Sequence, residues 1–194
     1  MKVIIFDNNN LSADKNLPVG WYIVADSALS NWGKPFYVPE NCNLVTVSLS
    51  MALKISKLGK YISPRFAGRY FHEFAPALHF RLPELRSLLM NLGLPVTPAL
   101  SFDKSVMTAD FKELPENPKD ISMSLKLNGS TRAEWKFTDL NIQPEELIHN
   151  FSIMNTLKMG DLILPSLTVG VPVVQGDVIE VESPLFSDLR IKVK

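Results

Sequence analysis

The chain has 194 residues, of which 46% are hydrophobic and 21% are charged, and its 20 basic side chains balance its 20 acidic ones. This composition is typical of a compact folded protein, excludes a disordered or fibrous chain, and predicts one domain spanning residues 1–194. A formal net charge of zero provides no long-range field to attract nucleic acid or an anionic membrane, so neither is predicted as a partner.

The first half of the chain is dominated by predicted strands. Residues 3–6 are rich in β-branched side chains and end at a polar turn cluster, which predicts a first strand. This apolar run is too short for the core of a signal peptide or for a membrane span, so a cytoplasmic protein is expected. A short strand is predicted at 21–24. Residues 43–53 alternate strictly between two sets of side chains, which predicts a longer strand with one buried face.

The second half mixes helices with strands. Pro83 and Glu84 open a predicted helix that Gly93 ends. The pair Asn128-Gly129 readily adopts the positive φ angles of a tight type I′ turn and therefore predicts a hairpin. The remaining predictions are hairpin strands at 121–127 and 131–137, a helix at 144–154, strands after the Gly-Asp turns at 160–161 and 176–177, and a strand at 189–193. The class is α+β, mostly β.

No familiar catalytic motif occurs in the sequence. It contains no glycine-rich phosphate loop, no nucleophile elbow and no His-Glu-x-x-His zinc motif. Cys42 is the single cysteine, and one cysteine with three histidines lacks recognisable zinc-ligand spacing. Cys42 is therefore interpreted as a half-buried apolar residue.

A fixed order of short motifs runs from residue 101 to the C-terminus. The motifs are Ser101-Phe102-Asp103, Thr108-Ala109-Asp110, Leu127-Asn128-Gly129, Glu146-Leu147-Ile148, Thr156-Leu157-Lys158-Met159-Gly160-Asp161 and Gly176-Asp177-Val178-Ile179. Their order resembles that of the fumarylacetoacetate hydrolase family, and a weaker collinear match covers about residues 33–80. The resemblance implies a β-clip fold, a mixed β-sandwich roll with a few short helices, that forms a homodimer. It also implies that active members use Mg²⁺, Mn²⁺ or Ca²⁺ to cleave acylpyruvates, or to decarboxylate, isomerise or hydrate related acids.

The resemblance further indicates where the metal ligands would lie. The family supplies Glu-x-Glu on one strand, where a period of two directs both acids to one face, and a later Asp. In this chain these three positions align with Ser48, Ser50 and His79. Two hydroxyls and one imidazole are a poor ligand set for a hard cation that prefers anionic oxygen, so no metal or other cofactor is predicted.

Other functional positions of the family are also replaced. The lysine before Ser-Phe-Asp is Leu100, and the arginine of the family's Arg-Asp-Leu-Gln segment aligns with Pro83. The threonine-rich substrate loop becomes 164–167, which reads Leu-Pro-Ser-Leu. The segment that carries the general-base histidine in hydrolytic members corresponds loosely to residues 8–13, which contain no histidine.

Several polar residues remain as pocket candidates. His79, with His72 and Glu73 nearby, could belong to a ligand cluster, but a histidine in an apolar surround is more often hydrogen-bonded structure. Ser101 and Asp103 keep the family's residues, and Asp103 either orients a polar group in the pocket or caps backbone amides in a turn.

A series of arginines offers another possible function. A guanidinium group can bind a carboxylate through two parallel hydrogen bonds, so these residues could hold a small carboxylate ligand. The same spacing more often forms a solvated face on a helix or loop. The residues are Arg65, Arg69, Arg81 and Arg86.

These observations support two competing hypotheses. The first is a divergent fumarylacetoacetate-hydrolase-family protein, a homodimeric pseudoenzyme with a binding or structural role. The second is a divergent hydrolase, decarboxylase or isomerase that acts on an acylpyruvate or other small 2-oxo acid with Mg²⁺ or Mn²⁺. Its rearranged pocket would use Ser48, Ser50, His79, Ser101 and Asp103. A heterodimer with an intact paralogue is a third possibility.

Overall fold

The structure, a computed structural model, describes residues 1–7, 20–187 and 189–194. Within this part of the chain the strands form a nine-stranded sheet and a four-stranded sheet. The strands are β1 Val3–Phe6, β2 Trp21–Val24, β3 Leu29–Asn31, β4 Val45–Ile55, β5 Phe71–Arg81, β6 Val106–Thr108, β7 Lys112–Glu113, β8 Ser122–Leu127, β9 Ser130–Lys136, β10 Leu162–Pro165, β11 Val171–Val173, β12 Val178–Glu182 and β13 Arg190–Lys192. The α-helices are α1 Pro64–Ala67, α2 Pro83–Asn91 and α3 Pro144–Met154. The predicted α+β, mostly β class is confirmed.

The two long strands β4 and β5 form the centre of the larger sheet. Its main path runs β2-β1-β10-β4-β5-β6-β3, with β11 pairing β4 and β7 pairing β5. The strands β4 and β5 are antiparallel, whereas β1 runs parallel to β10. The prediction that the 43–53 strand buries one face is wrong, because nearly every residue of β4 is buried. This strand lies between a large apolar cluster on one face and a smaller one on the other.

The candidate site lies on the face of the large sheet that carries the smaller apolar cluster. Its apolar cluster comes from β1, β4, β5, β6 and β10 and consists of the short and branched side chains Val3, Ile5, Ala52, Ala77, Val106, Leu162 and Leu164, with Val24 and Ala28. Polar residues of the same strands continue this face beyond the cluster. The aromatic side chains Tyr22 and Phe111 pack half-buried against the same face.

The two predicted helices are present as α2 and α3, whereas α1 was not predicted. No residue of α2 is fully buried: Leu85 and Leu89 are half-buried against the core, whereas Leu88 is 55% exposed. The helix α3 has 11 residues and buries Leu147 and Phe151. Among the described residues, no helix is long and apolar enough to cross a membrane.

The predicted hairpin is present as β8 and β9. Asn128 has φ 52° and Gly129 has φ 78°, as a type I′ turn requires. The Asn128 amide also donates to Asp177 at 2.8 Å, and its oxygen accepts from the Val178 amide at 2.9 Å. The turn therefore also connects the hairpin to β12 of the four-stranded sheet.

Replacing Gly129 with alanine is expected to lower the free energy of unfolding by about 1 kcal/mol, because a side chain at positive φ is strained. An added Cβ would meet nothing within 4 Å, so the cost is conformational rather than steric. Urea denaturation measures the change. Gly68→Ala is the matched control, because Gly68 has φ −59° and an added Cβ makes only an ordinary contact. Equal destabilisation of both variants would contradict the argument.

Candidate functional site

Three positions align with the metal ligands of the fumarylacetoacetate hydrolase family. They lie together on the face of the large sheet that carries the smaller apolar cluster. Ser48 pairs directly with His79 across β4 and β5, and Ser50 pairs with Ala77. Paired residues of antiparallel strands direct their side chains to the same face, and every second residue of a strand shares that face. Ser48, Ser50 and His79 are all at most 1% exposed. The structure therefore brings these three predicted residues together.

His79 is a fully buried histidine with both ring nitrogens engaged. Its Nε2 lies 3.0 Å from the Leu100 carbonyl oxygen, which can only accept, so Nε2 carries the proton. Its Nδ1 accepts from Arg81 Nε at 3.0 Å. Burial, and then the charge of Arg81, lower the pKa of His79 to about 4. The imidazole is therefore neutral at pH 7, and neither nitrogen offers a free lone pair.

Arg81 lies two residues after His79, on the same face of β5. Its Nη2 donates to Asp7 Oδ1 at 2.5 Å and to Ser166 Oγ at 2.9 Å, and the Ser166 hydroxyl donates to the same Asp7 oxygen at 3.1 Å. The side chain of Arg81 is 17% exposed. The expectation that the arginine series forms a solvated face on a helix or loop is wrong for Arg81, because it lies on a central strand. That expectation agrees with the exposed residues Arg65, Arg69 and Arg86.

The pairing of β1 with β10 explains why Asp7 and Ser166 meet. The two strands are parallel, and their last register pair is Phe6 with Pro165. The next residues, Asp7 and Ser166, therefore leave neighbouring strands at the same end, and the Ser166 amide donates to the Phe6 carbonyl at 2.9 Å. Ser166 also pairs with Ser50 through an isolated β-bridge. This arrangement places the Asp7 carboxylate next to the central strands β4 and β5.

Tyr22 completes the group. It pairs with Ile5 across β2 and β1, and its hydroxyl lies 3.4 Å from His79 Nδ1. The charges of Arg81 and Asp7 also act on this hydroxyl. Burial raises the pKa of Tyr22 well above its usual value, so the hydroxyl stays protonated at neutral pH. We call this group of five side chains the Arg81 cluster: Asp7, Tyr22, His79, Arg81 and Ser166.

One buried hydroxyl next to the Arg81 cluster has no partner. Among the described residues, Ser50 Oγ is fully buried and makes no hydrogen bond. A buried polar atom without a partner loses its hydration free energy, so such atoms are rare and point to a water or ligand. The neighbouring Ser48 hydroxyl donates to the His79 carbonyl over a long distance of 3.5 Å.

These residues do not fit a divalent metal. A hard cation requires several anionic oxygens, but the aligned positions supply two hydroxyls and an imidazole whose nitrogens are both engaged. The guanidinium of Arg81 next to them would repel a dication, and the Asp7 carboxylate is paired with that guanidinium. In the described ranges, no three His, Cys, Asp or Glu side chains come together as a ligand set.

Ser101 and Asp103 lie outside the Arg81 cluster. Ser101 follows Leu100, whose carbonyl binds His79, and the Ser101 hydroxyl accepts a hydrogen bond from the Ala25 amide at 3.0 Å. Asp103 is exposed in a turn. In this turn the Ser105 hydroxyl accepts a hydrogen bond from the Phe102 amide at 3.3 Å. Residues 8–13, which align with the family's histidine segment, lie outside the described residues.

Three members of the Arg81 cluster, Asp7, Tyr22 and Ser166, are absent from the candidates selected from the sequence. Ser166 appears there only within residues 164–167, which align with the family's substrate loop. A partial signal exists for Asp7, which is the first polar residue after a buried strand. For Arg81 the signal is its spacing of two residues from His79, because every second residue of a strand lies on the same face. Tyr22 carries no such signal, because its position depends on the pairing of β2 with β1.

Comparison with known proteins identifies relatives of this sequence. A family model described as the fumarylacetoacetate (FAA) hydrolase C-terminal domain matches residues 7–194. The mitochondrial oxaloacetate tautomerase FAHD1 of Mus musculus is 28% identical over 176 residues, which is 89% of this chain and 80% of the relative. The oxaloacetate tautomerase YcgM of Escherichia coli is 25% identical over 160 residues, 80% of this chain and 73% of that protein.

Solved structures share the fold at lower identity. The fumarylpyruvate hydrolase of Pseudomonas aeruginosa, solved in complex with Mn²⁺ and pyruvate, superposes with a TM-score of 0.89 at 17% identity, covering 100% of this chain and 89% of that one. The 5-carboxymethyl-2-hydroxymuconate delta-isomerase of Mycobacterium smegmatis superposes with a TM-score of 0.87 at 18% identity, covering 99% of this chain and 76% of that one. These likenesses confirm the predicted mostly β fold.

Proposed function

The chain belongs to the fumarylacetoacetate hydrolase family, and on this basis we propose that it is a divergent member that binds a small carboxylate without a divalent metal. In this proposal it does not perform the family's metal-dependent chemistry. The observation that supports it is the position of Arg81, whose guanidinium lies on the face where the metal-ligand positions align. The homodimer implied by the resemblance remains part of the proposal.

The physical argument concerns positive charge. A metal that chelates a 2-oxo acid supplies positive charge next to the ligand's carboxylate. In this chain Arg81 supplies a permanent positive charge, held at Nε by His79 and at Nη2 by Asp7 and Ser166. Among the described residues, these three contacts involve Nε and Nη2 of Arg81 and not Nη1. A guanidinium binds carboxylates through parallel N–H groups.

The comparisons support the ligand class. The Pseudomonas aeruginosa neighbour was solved with pyruvate, a small 2-oxo acid, together with Mn²⁺. The relatives from mouse and Escherichia coli are named as oxaloacetate tautomerases, and oxaloacetate is a 2-oxo acid as well. We therefore propose a 2-oxo acid or a similar small carboxylate as the ligand of this chain.

The names of these relatives also favour a second candidate function, an enzyme acting on a small 2-oxo acid. Such an enzyme needs a group that accepts a proton from the carbon next to the carbonyl. His79 is poorly suited, because it is fully buried and both of its nitrogens are engaged. The Asp7 carboxylate, 35% exposed, is the remaining candidate base within the Arg81 cluster.

Isothermal titration tests the proposed function. We expect oxalate and pyruvate to bind equally well in EDTA and in Mn²⁺, and Mn²⁺ alone to give no heat. Arg81→Met should weaken oxalate binding about 10- to 100-fold, which corresponds to the loss of a charge-assisted hydrogen bond.

The matched control is Arg86→Met, which removes the same charge from an exposed position. It should leave the affinity for oxalate unchanged. Oxalate binding that requires Mn²⁺, or Mn²⁺-dependent tautomerisation of oxaloacetate, would overturn the proposal in favour of the enzyme.

A further inference from the structure

Asp7 contacts Arg81 in the way that the carboxylate of a bound ligand would. Asp7 Oδ1 accepts from a single guanidinium nitrogen, Nη2, at 2.5 Å. This geometry uses one N–H group where a freely diffusing carboxylate could form two parallel hydrogen bonds. The internal carboxylate therefore occupies the anion-binding edge of Arg81 without using its full capacity.

The three partners of Arg81 differ in their freedom to move. His79 is fully buried, and Ser166 is fully buried in the strand bridge with Ser50. The side chain of Asp7 is 35% exposed and lies beyond the last paired residue of β1. If Asp7 turns to solvent, its carboxylate regains water, and Arg81 keeps its bonds to His79 and Ser166.

The unpartnered hydroxyl of Ser50 gives an independent indication of a ligand. This hydroxyl is fully buried, and its strand partner Ser166 contacts both Arg81 and Asp7. A ligand with a second oxygen adjacent to its carboxylate could satisfy this hydroxyl while its carboxylate binds the guanidinium. Oxalate and 2-oxo acids have this arrangement of oxygens.

We infer that Asp7 is an internal competitor for the anion site, and that the ligand's carboxylate displaces the Asp7 carboxylate from Arg81. This inference rests on the proposed carboxylate-binding function and deepens it, because it assigns the residue that sets the affinity. When a ligand must first displace an internal group, its association constant is the intrinsic one multiplied by the fraction of protein in which that group is already displaced. Neutralising Asp7 should therefore strengthen binding.

The experiment is a titration of oxalate in EDTA into the wild type and into the Asp7→Asn variant. We expect Asp7→Asn to bind oxalate at least about fivefold more tightly, because its neutral amide competes less for the guanidinium. Asp7→Ser is a second variant that guards against misfolding of the first, and thermal melting without ligand checks that each is folded.

The matched control is Glu182→Gln. Glu182 pairs with Lys126 at 2.5 Å in the four-stranded sheet, so this variant also removes one negative charge from an ion pair. It should leave the affinity for oxalate unchanged, which separates local competition from the change in net charge.

The outcomes distinguish the inference from the function on which it rests. If folded Asp7 variants bind oxalate no more tightly than the wild type, while Arg81→Met loses binding, the inference is overturned and the carboxylate-binding function stands. If neither the wild type nor the Asp7 variants bind oxalate, both are overturned. Tighter binding by Glu182→Gln as well would also overturn the inference, because net charge would then explain the effect.

Discussion

Lowering the pH from 7 to 4 is expected to reduce the free energy of unfolding by about 3 kcal/mol through His79 alone. The pKa of His79 is about 4 in the folded protein, below the ordinary value of 6.5. Between these two values the unfolded chain binds a proton that the folded protein does not. The contribution of His79 is therefore fully present above pH 6.5 and is lost as the pH falls toward 4.

Urea denaturation at pH 7, 5.5 and 4 measures this loss. His79→Gln removes the titrating group, so its stability should vary less with pH by about that amount, even if the variant is less stable at pH 7. His72→Gln is the matched control, because His72 is exposed on the same strand. If both variants keep the pH dependence of the wild type, the burial of a neutral His79 does not explain acid sensitivity.

Replacing Asp161 with alanine is expected to lower the free energy of unfolding by about 3 kcal/mol. The Asp161 carboxylate is 1% exposed and accepts hydrogen bonds from the Lys2 amide at 2.7 Å and the Lys158 amide at 2.8 Å. It also pairs with the Lys2 ammonium group at 2.5 Å. These bonds attach the start of β1 to β10, and the far end of β1 carries Asp7.

The second Gly-Asp turn provides the control for this experiment. Asp177 also accepts two hydrogen bonds, from the Val174 amide at 2.9 Å and the Asn128 amide at 2.8 Å, but both are exposed to water. Asp177→Ala should therefore cost only about 1 kcal/mol. Equal losses in the two variants, measured by chemical denaturation, would show that burial is not what makes Asp161 important.

Local patterns in the sequence predict most of the elements. The Asn128-Gly129 turn, the two predicted helices α2 and α3, and the strands after the Gly-Asp turns are all present in the structure. These predictions succeed because turn and helix-boundary preferences act over only a few residues. The burial of β4 on both faces was not predictable in this way, because it depends on which clusters pack against the sheet.

The resemblance to the family predicts part of the site. It directs attention to Ser48, Ser50 and His79, which the structure brings onto one face of β4 and β5. The sequence pattern presents Arg81 as one of four arginines, and only the spacing of two residues from His79 links it to the site. Its role follows from distances to Asp7 and His79 that no linear pattern contains.

The sequence by itself determined the family and the α+β class, because these follow from residue types and their order along the chain. It also predicts that three metal-ligand positions of the family are replaced. Only the tertiary structure decided what surrounds those positions. The Arg81 cluster joins β1, β2, β5 and the end of β10, whose residues lie up to 159 positions apart in the Asp7–Ser166 contact. Strand pairing and register create that proximity, and burial there holds the pKa of His79 below its usual value.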